Sequence, residues 1–435
     1  MRTTAHARAR AGAAAIVHGP ASPEGVDATV RTIASMGGKA LAMSQPLLFT
    51  PLSLRSVTLK NRIVVAPMHQ YSAVGGFATD WHLVNAGRYA QGGAGLVIME
   101  STKVARSGCG TVGDTGLWDD KFIPALARCA AFIKAQGAVA GIQLGHSGRK
   151  ARLTRPWEGG TPLTGSEPGI YDWEDWQLVA PSAIPHSTAS PTPRALSLAE
   201  VRALIDKWGE AAQRAARCGF DLLEIHAAHG YLIHQFLSPR ANRRGDAYGG
   251  TEPNRMRFAV EVAARVRAHW PSDKPLFMRL SCEDDAGFGP EESLRLARLL
   301  RAEGVDVIDC SSGGILAHSP MDGARARKYG YQVPYAAKIR REAGIMTMAV
   351  GHIVHADQAE AIVAEGSADL IALAREIMNN PSWPMDAAQK LGADPDFKLV
   401  PSPIAHWLAK RARSGFEGIP STWSRGLGKG AEPGE

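Results

Sequence analysis

The chain is a succession of short apolar runs, each followed by a stretch in which apolar residues recur at helical spacing. The runs are Ile63–Ala66, Leu96–Met99, Val139–Leu144, Leu222–Ile225, Leu276–Leu280, Val305–Asp309, Thr347–Val350 and Leu370–Leu373. They are almost continuously apolar, as strands of a parallel sheet covered on both faces are. The stretches between them predict helices over Ser197–Cys218, Pro253–Trp270, Pro290–Glu303 and Asp357–Glu365. Ser197 with Glu200 three residues later has the form of a capping box. Gly219, Gly304 and Gly366 stand where a left-handed helix end favours glycine. Strand–helix units in this number predict an α/β fold, a (β/α)8 barrel over residues 47–390. A doubly wound sheet is the alternative. It would carry a glycine-rich turn after the first strand, where this chain has Pro67, Met68, His69, Gln70 and Tyr71. The cluster Gly92, Gly93, Ala94, Gly95 precedes a strand and lacks the GxGxxG form.

Three segments depart from the alternation. Residues 1–46 are rich in Ala, Arg and Gly without a sustained period. They read as a disordered extension, or one arising from a start placed upstream, with a transit peptide as the alternative. Residues 152–193 form a long insertion after the third strand, carrying Trp157, Trp173 and Trp176. An insertion this long is expected to cap the catalytic face. Residues 391–435 read as a tail, polar, basic and glycine-containing beyond Trp407, whose end is expected to be loosely ordered.

Composition narrows the class. The chain of 435 residues is 45% hydrophobic and 21% charged, ordinary for a globular enzyme. No apolar run has the length of a membrane span. The five cysteines, Cys109, Cys129, Cys218, Cys282 and Cys310, form no CxxC pair, which argues against a disulfide framework and a cysteine zinc site. A reducing cytoplasm is the expected location. The net charge of +7 is not gathered into a dense basic run, so nucleic acid is not an expected partner. A basic rim suits an anionic cofactor instead.

In a barrel the chemistry sits where the strands end at their carboxyl side. There the chain offers Tyr71, Glu100, Ser101, Gln143, His146, Arg149, Lys150, His226, His229, Tyr231, Arg279, Ser311, Ser312, Gly351 and Arg375. This set is rich in donors and lacks the paired acids of a glycosidase. Gly313, Gly314, Gly351 and the Ala374–Arg375 turn follow strands six to eight, where barrels bind phosphate through backbone N–H groups. The fourth strand end leaves three readings open. His226 and His229 with His234 form a metal site; or the two form a structural pair; or they clamp a carbonyl oxygen whose charge grows as hydride adds to a conjugated carbon. In the last case Tyr231 is placed to protonate the neighbouring carbon.

The segment His226, His229, Gly230, Tyr231 and His234, followed by Phe236 to Pro239, Asn242 to Gly250 and Asn254–Arg255, resembles the old yellow enzyme family. So do Lys60 to Ile63 leading into Ala66, Pro67 and Met68, and Gly141 to Lys150. The resemblance spans about residues 47–390 and is strongest to the bacterial thermophilic-like, xenobiotic-reductase-like branch. It implies FMN as cofactor, NADPH or NADH as donor, and reduction of an activated alkene such as an α,β-unsaturated carbonyl. It implies that Ala66, Pro67, Met68 and His69 line the flavin and that Ser101 lies beside the ring. Gln143 and Arg279 would meet the pyrimidine edge, and Gly351, Ala374 and Arg375 the phosphate. His226 and His229 would hold the substrate carbonyl, Tyr71 would touch substrate, Tyr231 would give the proton, and Lys150 would be near the flavin or substrate. A homodimer or homotetramer is implied, with Trp407 or Arg411 of the tail reaching a neighbouring subunit. His69 departs from the branch, which usually has cysteine there, and Ala374 stands where glycine is frequent. The iron–sulfur relatives carry cluster cysteines after the barrel. This chain has none beyond residue 390.

Overall fold

The computed structural model describes residues 45–416 other than 168, 169, 171, 285 and 318–327. The expected extension over 1–46 lies outside the described residues except for Gln45 and Pro46, and the end of the tail does as well.

Eight parallel strands close into a barrel. They are β1 (Ile63–Val65), β2 (Leu96–Lys103), β3 (Val139–Gly145), β4 (Leu222–Ala227), β5 (Leu276–Ser281), β6 (Val307–Ser311), β7 (Met346–Ala349) and β8 (Leu370–Leu373). Each pairs with its sequence neighbours, and β8 pairs with β1 to close the ring. The surrounding helices include α1 (Asp80–Gln91), α2 (Ile123–Ala135), α3 (Leu198–Arg217), α4 (Leu232–Leu237), α5 (Glu252–His269), α6 (Pro290–Ala302), α7 (Val333–Ala343) and α8 (Ala356–Ala364). The capping box at α3 forms as the sequence suggests, with Ser197 accepting from the Glu200 N–H and Glu200 accepting from the Ser197 N–H. β8 has the bounds read from the sequence. The sixth strand starts later than Val305 and runs on to Ser311. The second runs past Met99 to Lys103, with a register shift between Met99 and Thr102.

Alternation along the strands sorts the side chains into two cores. One set faces the helices and holds most of the buried apolar residues. The other fills the barrel with Val64, Leu96, Leu222, Phe277, Val307, Met348 and Leu370. The hairpin Leu52–Leu54/Val57–Leu59 adds Leu54 and Leu59 to this inner cluster. One step further along the same faces, the inner positions turn polar: Gln143, Glu224, Arg279 and Asp309 are all buried. Apolar side chains plug the lower barrel, and a polar layer sits beneath the catalytic face.

The insertion after β3 is tied down by its own aromatics. Trp176 is fully buried and donates its indole N–H to the Cys109 carbonyl at 2.9 Å. The Arg106 guanidinium lies 3.8 Å over the Trp176 ring and grips Asp172 at 2.5 and 2.8 Å. Arg152 stacks at 3.8 Å on Trp173. Trp157 differs: it is 66% exposed and meets Tyr71 edge-on at 5.7 Å.

Candidate active site

A cavity of about 630 Å³ opens at the carboxyl ends of β5 to β8, a size suited to a small organic ligand. Its wall includes Lys150, His229, Arg279, Gly351, Ala374 and Arg375. Gly351 has φ 109°, and a Cβ there would meet Gln332 at 2.7 Å. Glycine is thus required there by the close approach of Gln332 and Tyr331. Ala374 has a negative φ of −115°, so its place does not call on glycine's freedom at positive φ.

The polar layer lies under this cavity. Strand register sets Gln143 beside Glu224, and Arg279 beside both His226 and Asp309. Gln143 donates from Nε2 to Glu224 Oε1 at 2.8 Å, and Arg279 Nε lies 3.1 Å from Asp309 Oδ2. Burial, reinforced by the Asp309 charge, pushes the Glu224 carboxyl up to about 8. Burial likewise raises Asp309, with Arg279 opposing it. Arg279 Nε and the second Glu224 oxygen have no hydrogen-bond partner among the described residues. Two arginines on the wall, Arg279 and Arg375, together with the positive-φ turn at Gly351, fit an anionic flavin nucleotide.

His226 and His229 come together, with a defined tautomer chain. His226 Nδ1 accepts from the Ala228 N–H at 3.1 Å, so its proton is on Nε2. That Nε2 lies 3.3 Å from His229 Nδ1, and His229 Nε2 lies 2.7 Å from Ser311 Oγ. His226 therefore donates to His229, and His229 to Ser311. Burial, and then neighbouring positive groups, hold both imidazoles well below the ordinary histidine range, so both are neutral. The backbone that presents His229 is tight. Its φ is 56°, its N–H donates to Ser281 Oγ at 2.9 Å, and Lys150 Nζ donates to its carbonyl at 3.0 Å. The turns that carry Gly230 and Gly314 pack so closely that a Cβ on Gly314 would lie 2.4 Å from the His229 backbone.

Tyr231 sits edge-on to His226 at 4.8 Å and stacks on His69 at 6.0 Å, and Tyr71 meets His69 at 5.3 Å. Burial raises the Tyr231 phenol, with Tyr71 and Asp114 adding to it; burial pushes Tyr71 up to about 12. Both keep their protons across the working range.

The structure brings most of the expected residues to one end of the barrel. His229, Arg279, Gly351, Ala374 and Arg375 share the cavity. Ala66 extends β1 by donating to the Leu373 carbonyl at 2.9 Å, and partly buried Pro67 and Met68 follow it. Ser101 accepts from Lys103 at 3.2 Å. His226 and Gln143 are buried behind the wall rather than lining it. His234 turns away: its Nδ1 accepts from the Gly230 N–H at 2.9 Å and its Nε2 lies 3.6 Å from Asp284. It does not join His226 and His229, and among the described residues no group of three or more His, Cys, Asp or Glu is arranged to hold a metal.

Two residues near the site escape the sequence reading. Lys103, fully buried, places Nζ 3.2 Å from His69 Nε2 and 3.4 Å from Asp114 Oδ2. Asp114 also accepts from Thr111 Oγ at 2.8 Å and from the Gly110 N–H at 2.7 Å. The apolar run that marks β2 in the sequence stops at Met99, four residues short of Lys103, the strand's last residue.

The profile of the NADH:flavin oxidoreductase / NADH oxidase family matches residues 47–394. The chain belongs to this family. An NADPH dehydrogenase of Geobacillus sp. (strain WCH70) is 42% identical over 353 residues, covering 80% of this chain and 95% of the relative. Morphinone reductase superposes with a TM-score of 0.65 at 27% identity, over 82% of this chain and 94% of that one. A further structure of that reductase holds tetrahydroNAD. The old yellow enzyme homologue from Zymomonas mobilis matches with a TM-score of 0.64 at 27% identity, over 79% of this chain and 93% of its own. The protein is an FMN-dependent oxidoreductase of the old yellow enzyme type that draws on a nicotinamide donor. Among the described residues no helix is long and apolar enough to cross a membrane.

Proposed function

We propose that the enzyme is an ene-reductase acting on alkenes conjugated to a carbonyl or a related activating group. When bound, FMN would supply the hydride that adds to the β-carbon, drawn from NADPH or NADH. Arg279 and Gln143 would hold the flavin's pyrimidine edge, and Gly351, Ala374 and Arg375 its phosphate. Ala66, Pro67, Met68, His69 and Ser101 would form the wall against the ring, with Lys150 close by. The observation that carries the reading is the convergence of His226, His229 and Tyr231. Two neutral imidazoles, each with one N–H, can donate to one carbonyl oxygen and stabilise the charge that grows on it. A substrate oxygen that displaces the long 3.3 Å contact frees the His226 N–H, and the His229 N–H must also turn from Ser311 Oγ, 2.7 Å away, to reach the same oxygen. Tyr231 keeps its proton in this buried place and is the donor to the α-carbon. Tyr71, with Trp157 against it at the rim, would contact the substrate's far side.

The test is donor oxidation followed with enones, maleimides, nitroalkenes and α,β-unsaturated acyl compounds, with the saturated product identified. Tyr231→Phe is expected to leave flavin reduction by the donor intact and slow its reoxidation by enone. A colourless protein, or one that oxidises donor without forming a saturated product, would overturn the proposal.

We also propose that the enzyme is a homo-oligomer in which Trp407 or Arg411 reaches a second copy. Trp407 is 64% exposed on α9 (Ser402–Arg411), a helix with no buried residue. Truncation after Pro401 is expected to change both the number of subunits in the oligomer and KM; no change in either would refute this.

A further inference from the structure

The buried Lys103 sits beside the catalytic face, and the function just proposed makes no use of it. An ammonium has only donors, so its 3.2 Å contact with His69 Nε2 is a bond that Lys103 donates and the imidazole accepts. The His69 proton is then on Nδ1, away from Lys103. Asp114 fixes the ammonium from the other side at 3.4 Å and is itself fixed by Thr111 and Gly110. Ser101 Oγ accepts a further hydrogen bond from Lys103 at 3.2 Å. The bulge in β2 between Met99 and Thr102 belongs to this device. Bulges re-aim side chains beside active sites, and this one lies on the stretch that leads to Lys103.

We propose that Lys103 is a positioning residue that locks His69 as a neutral, Nδ1-protonated imidazole, making it a fixed hydrogen-bond donor in the wall of the site. The consequence for the cofactor rests on the reading of His69 as part of the flavin wall; the lock itself does not. The groups facing His69 are Lys103, Asp114, Glu100, Tyr71, Tyr231, His226 and His229. Both tyrosines and both of those histidines are neutral, which leaves Lys103 opposing His69 protonation and the two carboxylates favouring it. Desolvation and then Lys103 outweigh the carboxylates, and His69 falls below its ordinary 6.5. Take away the lysine, and Asp114 becomes an unpaired carboxylate next to an imidazole. His69 would then take up a proton and replace Lys103 as the partner of Asp114.

The experiment is NMR of the purified protein with ¹⁵N-labelled histidine, titrated from acid to alkaline pH, with His69 assigned by His69→Gln. Wild type is expected to show His69 as the neutral Nδ1–H tautomer, staying neutral below pH 6.5. In Lys103→Met its protonation is expected to move to higher pH than in wild type, and Lys103→Arg is expected to restore the lock. A His69 that carries its proton on Nε2 in wild type, or titrates identically in wild type and Lys103→Met, overturns the proposal. Should Lys103→Met fail to fold, Lys103→Met/Asp114→Asn removes both charges. His69 is then expected to lose its tautomer preference, and an unchanged signature refutes the lock. The flavin midpoint potential of the same variants is the second readout. Loss of the flavin-wall reading would show as a protein that does not retain FMN while the histidine signature persists, so the two failures are distinguishable.

Discussion

The polar layer beneath the cavity makes a quantitative prediction about Glu224. Its carboxyl is buried beside Asp309 and titrates near 8 in the folded protein against 4.5 for the ordinary group. An acid whose folded value is raised binds a proton in the native state that the unfolded chain has released. Its contribution is therefore intact below pH 4.5 and is lost as pH rises toward 8. At about 1.4 kcal/mol per unit, keeping Glu224 protonated at pH 7 costs the fold about 3 kcal/mol. Glu224→Gln keeps an acceptor for Gln143 Nε2 and leaves the Arg279–Asp309 pair in place. The variant is expected to match wild type near pH 5 and to become more stable by about 3 kcal/mol at neutral pH, the gap levelling off above pH 8. Urea midpoints for both proteins, at one fixed FMN concentration and several pH values, read this directly. A gap that stays constant from pH 5 to 8, or a variant less stable at pH 8, would show that Glu224 is ionised in the native barrel and refute the argument.

Three further outcomes follow from the geometry. Asp114→Asn leaves Lys103 charged and buried without its carboxylate and is expected to cost about 3–5 kcal/mol, most of it recovered in Lys103→Met/Asp114→Asn; two independent losses in the double-mutant cycle would contradict coupling. Burial raises Asp114, but Lys103, His69, Thr111 and Gly110 together hold it below 3.8, so its stabilisation is present above that pH and is lost as pH falls through the lower folded value. Gly314→Ala puts a Cβ 2.4 Å from the His229 backbone at φ 100°, and kcat/KM for an enone is expected to fall about 100-fold with flavin retained. Trp176→Ala empties a fully buried indole site and removes its bond to Cys109, for an expected loss of about 3–5 kcal/mol in thermal or urea unfolding.

The barrel was legible because its signal is redundant. Each of β1 to β8 is a run of buried apolar residues, and a slip of a residue or two at one end, as at Val305, leaves the count and order intact. The caps were legible for a related reason: Ser197 and Glu200 bond each other within one turn, so no distant residue is needed to predict them. The tryptophans of the insertion were harder. Trp157, Trp173 and Trp176 look alike in sequence, yet Trp173 and Trp176 are held under arginines while Trp157 stands free beside Tyr71. Which arginine reaches which ring is a matter of tertiary geometry, with Arg106 and Trp176 far apart in the chain.

The site divides along the same line. Residues at strand ends were found because a barrel delivers its strand ends to one face, and the position along the strand is written in the sequence. What that logic misses is a strand that does not end where its apolar run ends. After Met99 the chain reads Glu100, Ser101, Thr102 and Lys103, all buried, and the register shift lets polar residues continue the strand without breaking the barrel. A lysine is fully buried there with Asp114, eleven residues on, turned back to meet it and with His69, from the neighbouring strand's loop, accepting one of its hydrogen bonds. None of the three residues calls attention to itself alone. Lys103 without Asp114 would be a buried unpaired charge, Asp114 without Lys103 would draw a proton onto His69, and His69 without both would have nothing to fix which nitrogen carries its proton. Their chemistry is a property of the set, and the set exists only once the second strand has been carried to its true end.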